Sequence, residues 1–283
     1  MDNDKNGFTD DVRGWNFVTN SADVRPVFKT IQREDAWSHG TMVASLIGAR
    51  GNNGVGMSGI AWNVRIMPLV VLDADGSGTT DDIIKAIRYA VNMGASVINL
   101  SLVGYDRDAA LEEMIERATN AGVLVVAATG NDDEAKAGIN LDERPAYPVC
   151  DPVGQDRVIG VGGTDPLDQK APYANFGKRC TDLSAPGQGL FVARPSYPHN
   201  PGVLAANVPN YRQNVVGTSL AAPLVSGAAA LLKSLHRDWT ADKIRRRLYE
   251  TADPLSEGVR GTKGRLGYGR LNIGRALSEE LMK

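Results

Sequence analysis

A serine stands at the start of a long apolar segment. Residues 217–223 read GTSLAAP and are followed by the apolar run 224–235. Gly217 permits a tight turn, and Pro223 is tolerated in the first turn of a helix, so the pattern predicts a buried helix that begins at Ser219. The unpaired N–H groups and the positive end of the helix dipole would favour negative charge on an oxygen beside this serine. This is the electrostatic setting of acyl transfer.

A nucleophilic serine needs a base, and the chain contains three histidines, His39, His199 and His236. His199 falls in a proline-rich loop, and His236 ends the helix predicted after Ser219, where a dipole-related role is common. His39 opens the stretch 38–47 (SHGTMVASLI), whose apolar spacing indicates a helix. Alone, His39 would more often be a capping residue. Beside the serine motif, we interpret it as the general base.

A third signal is the run 123–131 (VLVVAATGN). Its continuous apolar residues predict a central parallel strand, with small residues and then Asn131 at the carboxyl end. Ligands of open α/β sheets bind at this end, and a side-chain amide can donate a hydrogen bond to an oxyanion. A glycine–asparagine pair after a strand is more often only a turn. Together with Ser219 and His39, it predicts an oxyanion donor.

These motifs resemble those of the subtilisin-like serine peptidases. The resemblance rests on HGT at His39, the strand ending at Asn131 and GTSLAAP around Ser219, and it continues through 147–148 (YP), 159–162 (IGVG), 175–177 (NFG) and 185–187 (APG). It implies a serine endopeptidase in which Ser219 is the nucleophile, His39 the general base and Asn131 the oxyanion donor. The fold it implies is three-layer α/β, with a mainly parallel sheet covered by helices on both faces.

One element of the family pattern is absent from the sequence. Members carry an aspartate at the end of an N-terminal strand that precedes the histidine, but no Asp-Thr-Gly or Asp-Ser-Gly motif precedes His39. Asp10 and Asp11 lie at plausible sequence distances, but residues 1–7 are polar and would not form the buried strand that holds a carboxylate under the imidazole. We therefore expect one subtilisin-like domain over residues 1–283, N-terminally incomplete and impaired in activity. The alternative is an inactive fold that serves as a peptide-binding module.

The resemblance also implies two substrate-binding edges. A glycine loop after the predicted strand 64–72 would let an extended peptide pair with its backbone; this loop contains Gly76, Ser77 and Gly78. The pocket for the residue before the cleaved bond would be lined by two segments, which are Leu102, Val103, Gly104 and Ala128, Thr129, Gly130. Its apolar walls favour an uncharged, hydrophobic side chain. Val103, which replaces a glycine of the family pattern, would narrow the entrance.

An acidic stretch at the start of the chain has the spacing of a calcium loop. Oxygen-bearing side chains fall at loop positions 1, 3, 5 and 9 around a glycine, and these are Asp2, Asp4, Asn6 and Asp10. The twelfth position is Arg13 rather than glutamate, so a solvated acidic turn is the alternative reading. Residues 1–13 are thus a candidate for a structural calcium ion, while serine chemistry itself requires no cofactor.

Composition limits the function classes. With 283 residues, 42% of them hydrophobic, and a net charge of −2, the chain can bury one large core and offers no basic surface for nucleic acid. The run 224–235 is too short to span a membrane. No secretory signal is evident, yet the family resemblance favours an extracellular or cell-envelope location. Cys150 and Cys180, which similar proteins sometimes bridge, would form a disulfide or remain buried thiols. We expect a monomer that acts on protein or peptide substrates.

Apolar runs and helical patterns alternate along the chain, and this alternation predicts the parallel sheet that must position the site. Strands are predicted at 64–72, 97–101, 123–128 and 158–162, and helices at 81–92, 109–120, 219–235, 241–250 and 273–282, with a further helix from Thr41. Residues 54–59 match the G-x-G-x-x-G fingerprint of dinucleotide sites but precede a strand rather than follow one. Nucleotide binding is therefore not expected.

Overall fold

The computed structural model describes residues 2, 6–28, 34–132, 137–150, 156–195, 210–255 and 264–278. Asp4 of the predicted calcium loop, His199 and the last five residues of the chain lie outside these ranges.

The described residues form eight strands and seven helices. In chain order they are β1 (Trp15–Asn16), α1 (Glu34–Trp37), α2 (His39–Gly48), β2 (Leu69–Val70), α3 (Thr80–Asn92), β3 (Val97–Leu100), α4 (Ala109–Asn120), β4 (Leu124–Ala128), β5 (Val158–Thr164), β6 (Leu183–Pro186), β7 (Leu190–Ala193), β8 (Tyr211–Val215), α5 (Thr218–Leu235), α6 (Ala241–Glu250) and α7 (Ile273–Leu277).

Four parallel strands form the central sheet, in the order β3-β4-β5-β6. Because side chains alternate across a strand, β4 contributes to two cores. Leu124, Val126 and Ala128 pack with α5 and α6, whereas Val125 and Ala127 pack with α3 and α4. The sheet is therefore the middle of three layers, and the predicted fold class is confirmed.

Capping side chains fix where several helices begin. The hydroxyl of Thr79 accepts a hydrogen bond from the N–H of Asp82 at the start of α3. Asp108 accepts two such bonds at the start of α4, and Thr240 accepts one at the start of α6. These caps satisfy N–H groups that have no partner inside a helix, and the predicted bounds of the three helices agree with the structure within one residue.

The predicted strand 64–72 was wrong in extent, since only Leu69 and Val70 form β2. Pro68 has no N–H to offer a ladder, although its carbonyl still accepts a hydrogen bond from Trp15. β2 pairs in parallel with β1, and these two strands form a sheet separate from β3–β6. The strands β1, β6, β7 and β8 and the helix α1 were not predicted from the sequence, and each of them is only two to five residues long.

α5 is the central helix of the molecule. It begins at Thr218, so Pro223 lies in its second turn. The sequence-based expectation that Pro223 lies in the first turn was wrong. Among the described helices it alone is long and apolar enough to span a membrane, but 61% of its 18 residues are buried inside the structure. It packs on the sheet and, through Leu220, on α2.

A disulfide joins Cys150 to Cys180, and both cysteines are buried. It links the segment after the Tyr147–Pro148 peptide to the segment that leads into β6.

Candidate active site

Ser219 is the partly exposed residue of a buried turn. Gly217, which precedes α5, has a φ of +149°, a backbone conformation that residues other than glycine rarely adopt. Its N–H donates to the carbonyl of Gly187 and to the hydroxyl of Tyr173. Thr218 and Leu220 are buried, whereas Ser219 between them is partly exposed. The turn thus brings a single hydroxyl to the surface at the start of the helix.

The side chain of Asn131 lies beside this turn. Its Oδ1 accepts hydrogen bonds from the N–H and the hydroxyl of Thr218, at 3.0 and 3.1 Å. A Cβ placed on Gly217 would lie 3.0 Å from Oγ of Ser219 and 3.7 Å from Nδ2 of Asn131. The serine oxygen and the amide nitrogen therefore border the same small space, which only a glycine leaves open.

His39 is the first residue of α2. The hydroxyl of Ser38, which is buried just before it, donates to the carbonyl of Glu34 at 2.6 Å. Burial lowers the pKa of the half-buried imidazole below its usual value, while the nearby charge of Asp35 acts in the opposite direction. Among the described residues, none forms a hydrogen bond with the ring of His39.

The helices that carry His39 and Ser219 pack against each other. Met42 and Val43, from the first turn of α2, share a buried cluster with Leu220, which follows the serine. The two remaining histidines have other settings. His236 ends α5 and stacks on Trp239 with a centroid distance of 4.0 Å, and His199 lies outside the described residues.

Asp11 is engaged away from the histidine. Its carboxylate accepts hydrogen bonds from the hydroxyl of Tyr89 and from the side-chain amide of Asn6. Burial raises the pKa of Asp11, but these two hydrogen bonds outweigh it and leave the pKa below the usual value. Tyr89 lies in an aromatic cluster with Phe8 and Trp15, so Asp11 helps to hold the N-terminal segment on α3.

Hydrogen bonds join the described residues at the start of the segment predicted to bind calcium. The carboxylate of Asp2 accepts the N–H groups of Asn6 and Gly7 at 3.2 and 2.9 Å, and Oδ1 of Asn6 accepts that of Phe8. No group of three or more His, Cys, Asp or Glu residues that could hold a metal occurs in the described ranges. Calcium binding by Asp2, Asp4, Asn6 and Asp10 stays a prediction.

The first predicted substrate edge is an exposed turn after β2. Asp73 closes it, because its Oδ1 accepts the N–H groups of Asp75 and Ser77. Gly76 has a φ of +80°, and a Cβ on Gly78 would lie 2.1 Å from the carbonyl of Val71. Both glycines are thus required by the turn itself.

The second predicted edge is partly covered by Val103. Its methyl groups would lie 3.0 and 3.4 Å from a Cβ on Gly130, so they pack directly over that glycine. Gly104 forms an antiparallel bridge with Tyr147. Ala128 and Thr129 are buried, and the hydroxyl of Thr129 donates to the carbonyl of Asn175, while Leu102 lies partly buried beside Val103.

Sequence reasoning missed Lys170, which supports the loop around Asn131. Its side chain is buried, and its Nζ donates to four main-chain carbonyls at 2.8–3.1 Å, those of Ala137, Ala171, Pro172 and Ala174. Asn131 itself bridges to Ala174. Burial lowers the pKa of this lysine to about 8. A lysine in the polar turn TDPLDQK gave no signal of this role.

Comparisons with known proteins agree with one another. A family model described as the subtilase family matches residues 3–269. The chain is 35% identical over 261 residues to a thermophilic serine proteinase of Bacillus sp. (strain AK1), with 92% of this chain and 55% of the relative covered. It is 34% identical to thermitase of Thermoactinomyces vulgaris, with 90% of this chain and 78% of the relative covered. The chain thus spans about half the length of the first relative.

A solved structure shares the fold. The crystal structure of a lanthipeptide protease superposes with a TM-score of 0.72 at 28% identity, over 96% of this chain and 81% of that one.

Proposed function

The chain belongs to the subtilase family, and on that premise we propose that it is a serine endopeptidase that hydrolyses peptide bonds through an acyl-enzyme. Serine proteases of this family are hydrolases, and the relatives named as serine proteinase, thermitase and subtilisin agree with that class. The residues that carry out the reaction, and the activity of this chain, are part of the proposal.

In the proposed mechanism, Oγ of Ser219 attacks the carbonyl carbon of the scissile peptide while His39 accepts the hydroxyl proton. The side-chain amide of Asn131 and the N–H of Ser219 donate hydrogen bonds to the oxyanion of the tetrahedral intermediate. His39 then returns the proton to the leaving amine. Water repeats these steps on the acyl-enzyme, which releases the second product and regenerates the serine.

The observation that carries this proposal is the contact between Asn131 and the turn of Ser219. Because Thr218 donates twice to Oδ1 of Asn131, the oxygen of the amide faces the start of α5 and the nitrogen remains available as a donor. That nitrogen and Oγ of Ser219 border one space beside Gly217. When the serine attacks a carbonyl carbon, the carbonyl oxygen would enter this space and accept a hydrogen bond from Nδ2 of Asn131.

We further propose that the carboxylate partner of His39 belongs to a strand upstream of residue 1. Within the described residues, β2 and β3 each pair in parallel with one neighbour only, β2 with β1 and β3 with β4. Leu69 of β2 packs against the hydrophobic cluster that contains Ile98 of β3 and the buried residues of α3 and α4. One added parallel strand would join the two sheets, and its carboxyl end would lie at the edge of the sheet where Asn131 follows β4.

A second candidate function is a peptide-binding module without activity. It is favoured by one observation, that no described residue forms a hydrogen bond with the ring of His39. In serine proteases, loss of the aspartate lowers turnover by about 10⁴-fold, because the imidazole is no longer held in the correct tautomer. The two candidates differ in whether hydrolysis depends on Ser219.

The test is hydrolysis of an activated peptide ester by the purified chain, with and without the upstream sequence of its reading frame. We expect slow hydrolysis by the 283-residue chain, loss of it in Ser219→Ala, and a large gain in the extended chain. Ser234→Ala is the matched control, since Ser234 is an exposed serine of the same helix. Hydrolysis that survives in Ser219→Ala, or an extended chain without activity, would refute the proposal.

Location, partners and cofactors belong to the same proposal. The buried disulfide between Cys150 and Cys180 suits an oxidising compartment, and the bacterial subtilisin relatives favour the same extracellular or cell-envelope setting. We propose a monomer that acts on protein or peptide substrates without a required cofactor. A calcium ion at residues 1–13, if bound, would stabilise the fold and take no part in the chemistry.

A further inference from the structure

α5 lacks one of its own hydrogen bonds next to the proposed nucleophile. In an α-helix the N–H of each residue donates to the carbonyl four residues earlier. Pro223 has no N–H, and the carbonyl that it leaves without this donor is that of Ser219. An unpaired carbonyl in a helix is free to tilt, and here it belongs to the residue whose side chain must be held still.

The hydroxyl of Ser101 replaces the missing donor. It lies just beyond the carboxyl end of β3 and donates to the carbonyl of Ser219 at 2.7 Å. The residues are 118 positions apart in the chain, so the contact is made by the docking of α5 on the sheet.

Two more hydrogen bonds orient this serine. Nδ2 of Asn99 donates to Oγ of Ser101 at 2.9 Å, which leaves the hydroxyl hydrogen of Ser101 for the carbonyl of Ser219. Oδ1 of Asn99 accepts the hydroxyl of the buried Ser226, also at 2.9 Å. Because Asn99 and Ser101 lie two residues apart, both face α5 from the same side of the strand. β3 therefore holds the helix at two points, Ser219 and Ser226.

We propose that Ser101 is a positioning residue for the nucleophile. The bond to the carbonyl of Ser219 fixes the peptide unit that follows the serine, and this limits the movement of the Cα from which the N–H and the side chain of Ser219 extend. Small displacements of reacting groups lower rates strongly, by about 10²-fold for 1 Å. The inference depends on the proposed function, since it concerns the same serine.

Four variants test this assignment: Ser101→Ala, Ser101→Thr, Pro223→Ala and the double variant Ser101→Ala/Pro223→Ala. Alanine at position 223 restores an N–H that can donate to the carbonyl of Ser219. We expect Ser101→Ala to lower kcat about tenfold or more with little change in KM, as expected for a displaced reacting group. The double variant should recover most of this loss, and Ser101→Thr, which keeps the hydroxyl, should lose less than Ser101→Ala.

The readouts are kcat and KM on a peptide ester and the rate at which a fluorophosphonate reacts with Ser219, beside the melting temperature. A kcat of Ser101→Ala within twofold of the unchanged chain, or a double variant no faster than Ser101→Ala, would overturn the assignment. If Ser101→Ala does not fold, the kcat values of Ser101→Thr and of the double variant are compared with that of the unchanged chain instead. A kcat far below that of the unchanged chain in both variants would then overturn the assignment. If Ser219 of the unchanged chain does not react with the fluorophosphonate, the proposed function is refuted. If Ser219 reacts at the same rate in all variants, only the positioning role of Ser101 is refuted.

Discussion

Thr218 holds the side chain of Asn131 with two hydrogen bonds to one oxygen, from its N–H at 3.0 Å and from its hydroxyl at 3.1 Å. The same hydroxyl accepts the N–H of Gly130 at 3.0 Å. The residue before the proposed nucleophile thus orients the proposed oxyanion donor. Neither residue can turn without disturbing the other.

Removal of this arrangement should lower kcat in graded steps. Asn131→Ala should lower kcat by about 10²- to 10³-fold, the usual loss for one oxyanion donor. Thr218→Val, which keeps the N–H but loses the hydroxyl, should lower kcat about tenfold, since one of two bonds to Oδ1 remains. Thr218→Ser keeps both donors and serves as the control. Equal rates for Thr218→Val and Thr218→Ser would show that the hydroxyl does not orient the amide.

Val103 should limit the size of the substrate residue before the cleaved bond. Its methyl groups lie over Gly130, where a large side chain would otherwise enter. We expect the chain to prefer alanine over phenylalanine at this position, and Val103→Gly to reverse the preference by tenfold or more, because pocket volume discriminates at about this level.

The measurement is kcat/KM for a pair of peptide esters that differ only at that residue. Val55→Gly is the matched control, since Val55 lies exposed in a loop. A Val103→Gly variant with the same ratio as the unchanged chain would mean that the pocket lies elsewhere.

The pH profile should reflect the burial of His39. A general base must be neutral, so kcat/KM rises with pH as the imidazole loses its proton. Because burial lowers the pKa of His39 below 6.5, the midpoint for the 283-residue chain should lie below that value. Asp35→Asn removes the charge that acts against the shift, and the midpoint should then move further down. A midpoint above 7, or an upward move in Asp35→Asn, would contradict this reading of the environment of His39.

Asp182 should make stability depend on pH. Burial raises its pKa to about 7, although the N–H of Gly160 donates to its carboxylate at 2.7 Å. A raised pKa means that the folded state binds the proton more tightly, so the contribution of Asp182 to stability is fully present below pH 3.8 and is lost as pH rises to about 7, by up to about 1.4 kcal/mol per pH unit.

Asp182→Asn removes this titration and keeps an oxygen for the N–H of Gly160. Urea unfolding at pH 5 and pH 8 should therefore show a smaller loss of unfolding free energy in the variant than in the unchanged chain. Asp165→Asn, a change in the turn after β5, is the control. An equal loss in Asp182→Asn and the unchanged chain would show that Asp182 does not titrate in this range.

The sequence predicted the layers of the fold better than its short strands. α4 and α6 follow from strong apolar spacing and capping residues, and β4 from an unbroken apolar run. β2 was predicted too long because the apolar residues around Pro68 pack on the core without forming a ladder. β6 was missed since four residues that end in a proline carry no periodic signal.

For the site, local motifs pointed to the proposed reactive residues but not to the groups that contact them. Ser219, His39 and Asn131 each stand in a distinctive local sequence. Thr218 and Ser101 form hydrogen bonds with residues 87 and 118 positions away, and no pattern within one element reveals such a contact. Their roles could be read only once the sheet and α5 were placed together.

The most direct test of the account is reaction of the chain with a fluorophosphonate, followed by mapping of the adduct by mass spectrometry. We predict one adduct, on Ser219, formed at a rate that falls by about 10²-fold or more in His39→Ala, since a general base contributes that much, and that is unchanged in His236→Ala. An adduct on another serine, or equal rates with and without the imidazole of His39, would contradict the assignment of Ser219 and His39 as nucleophile and base.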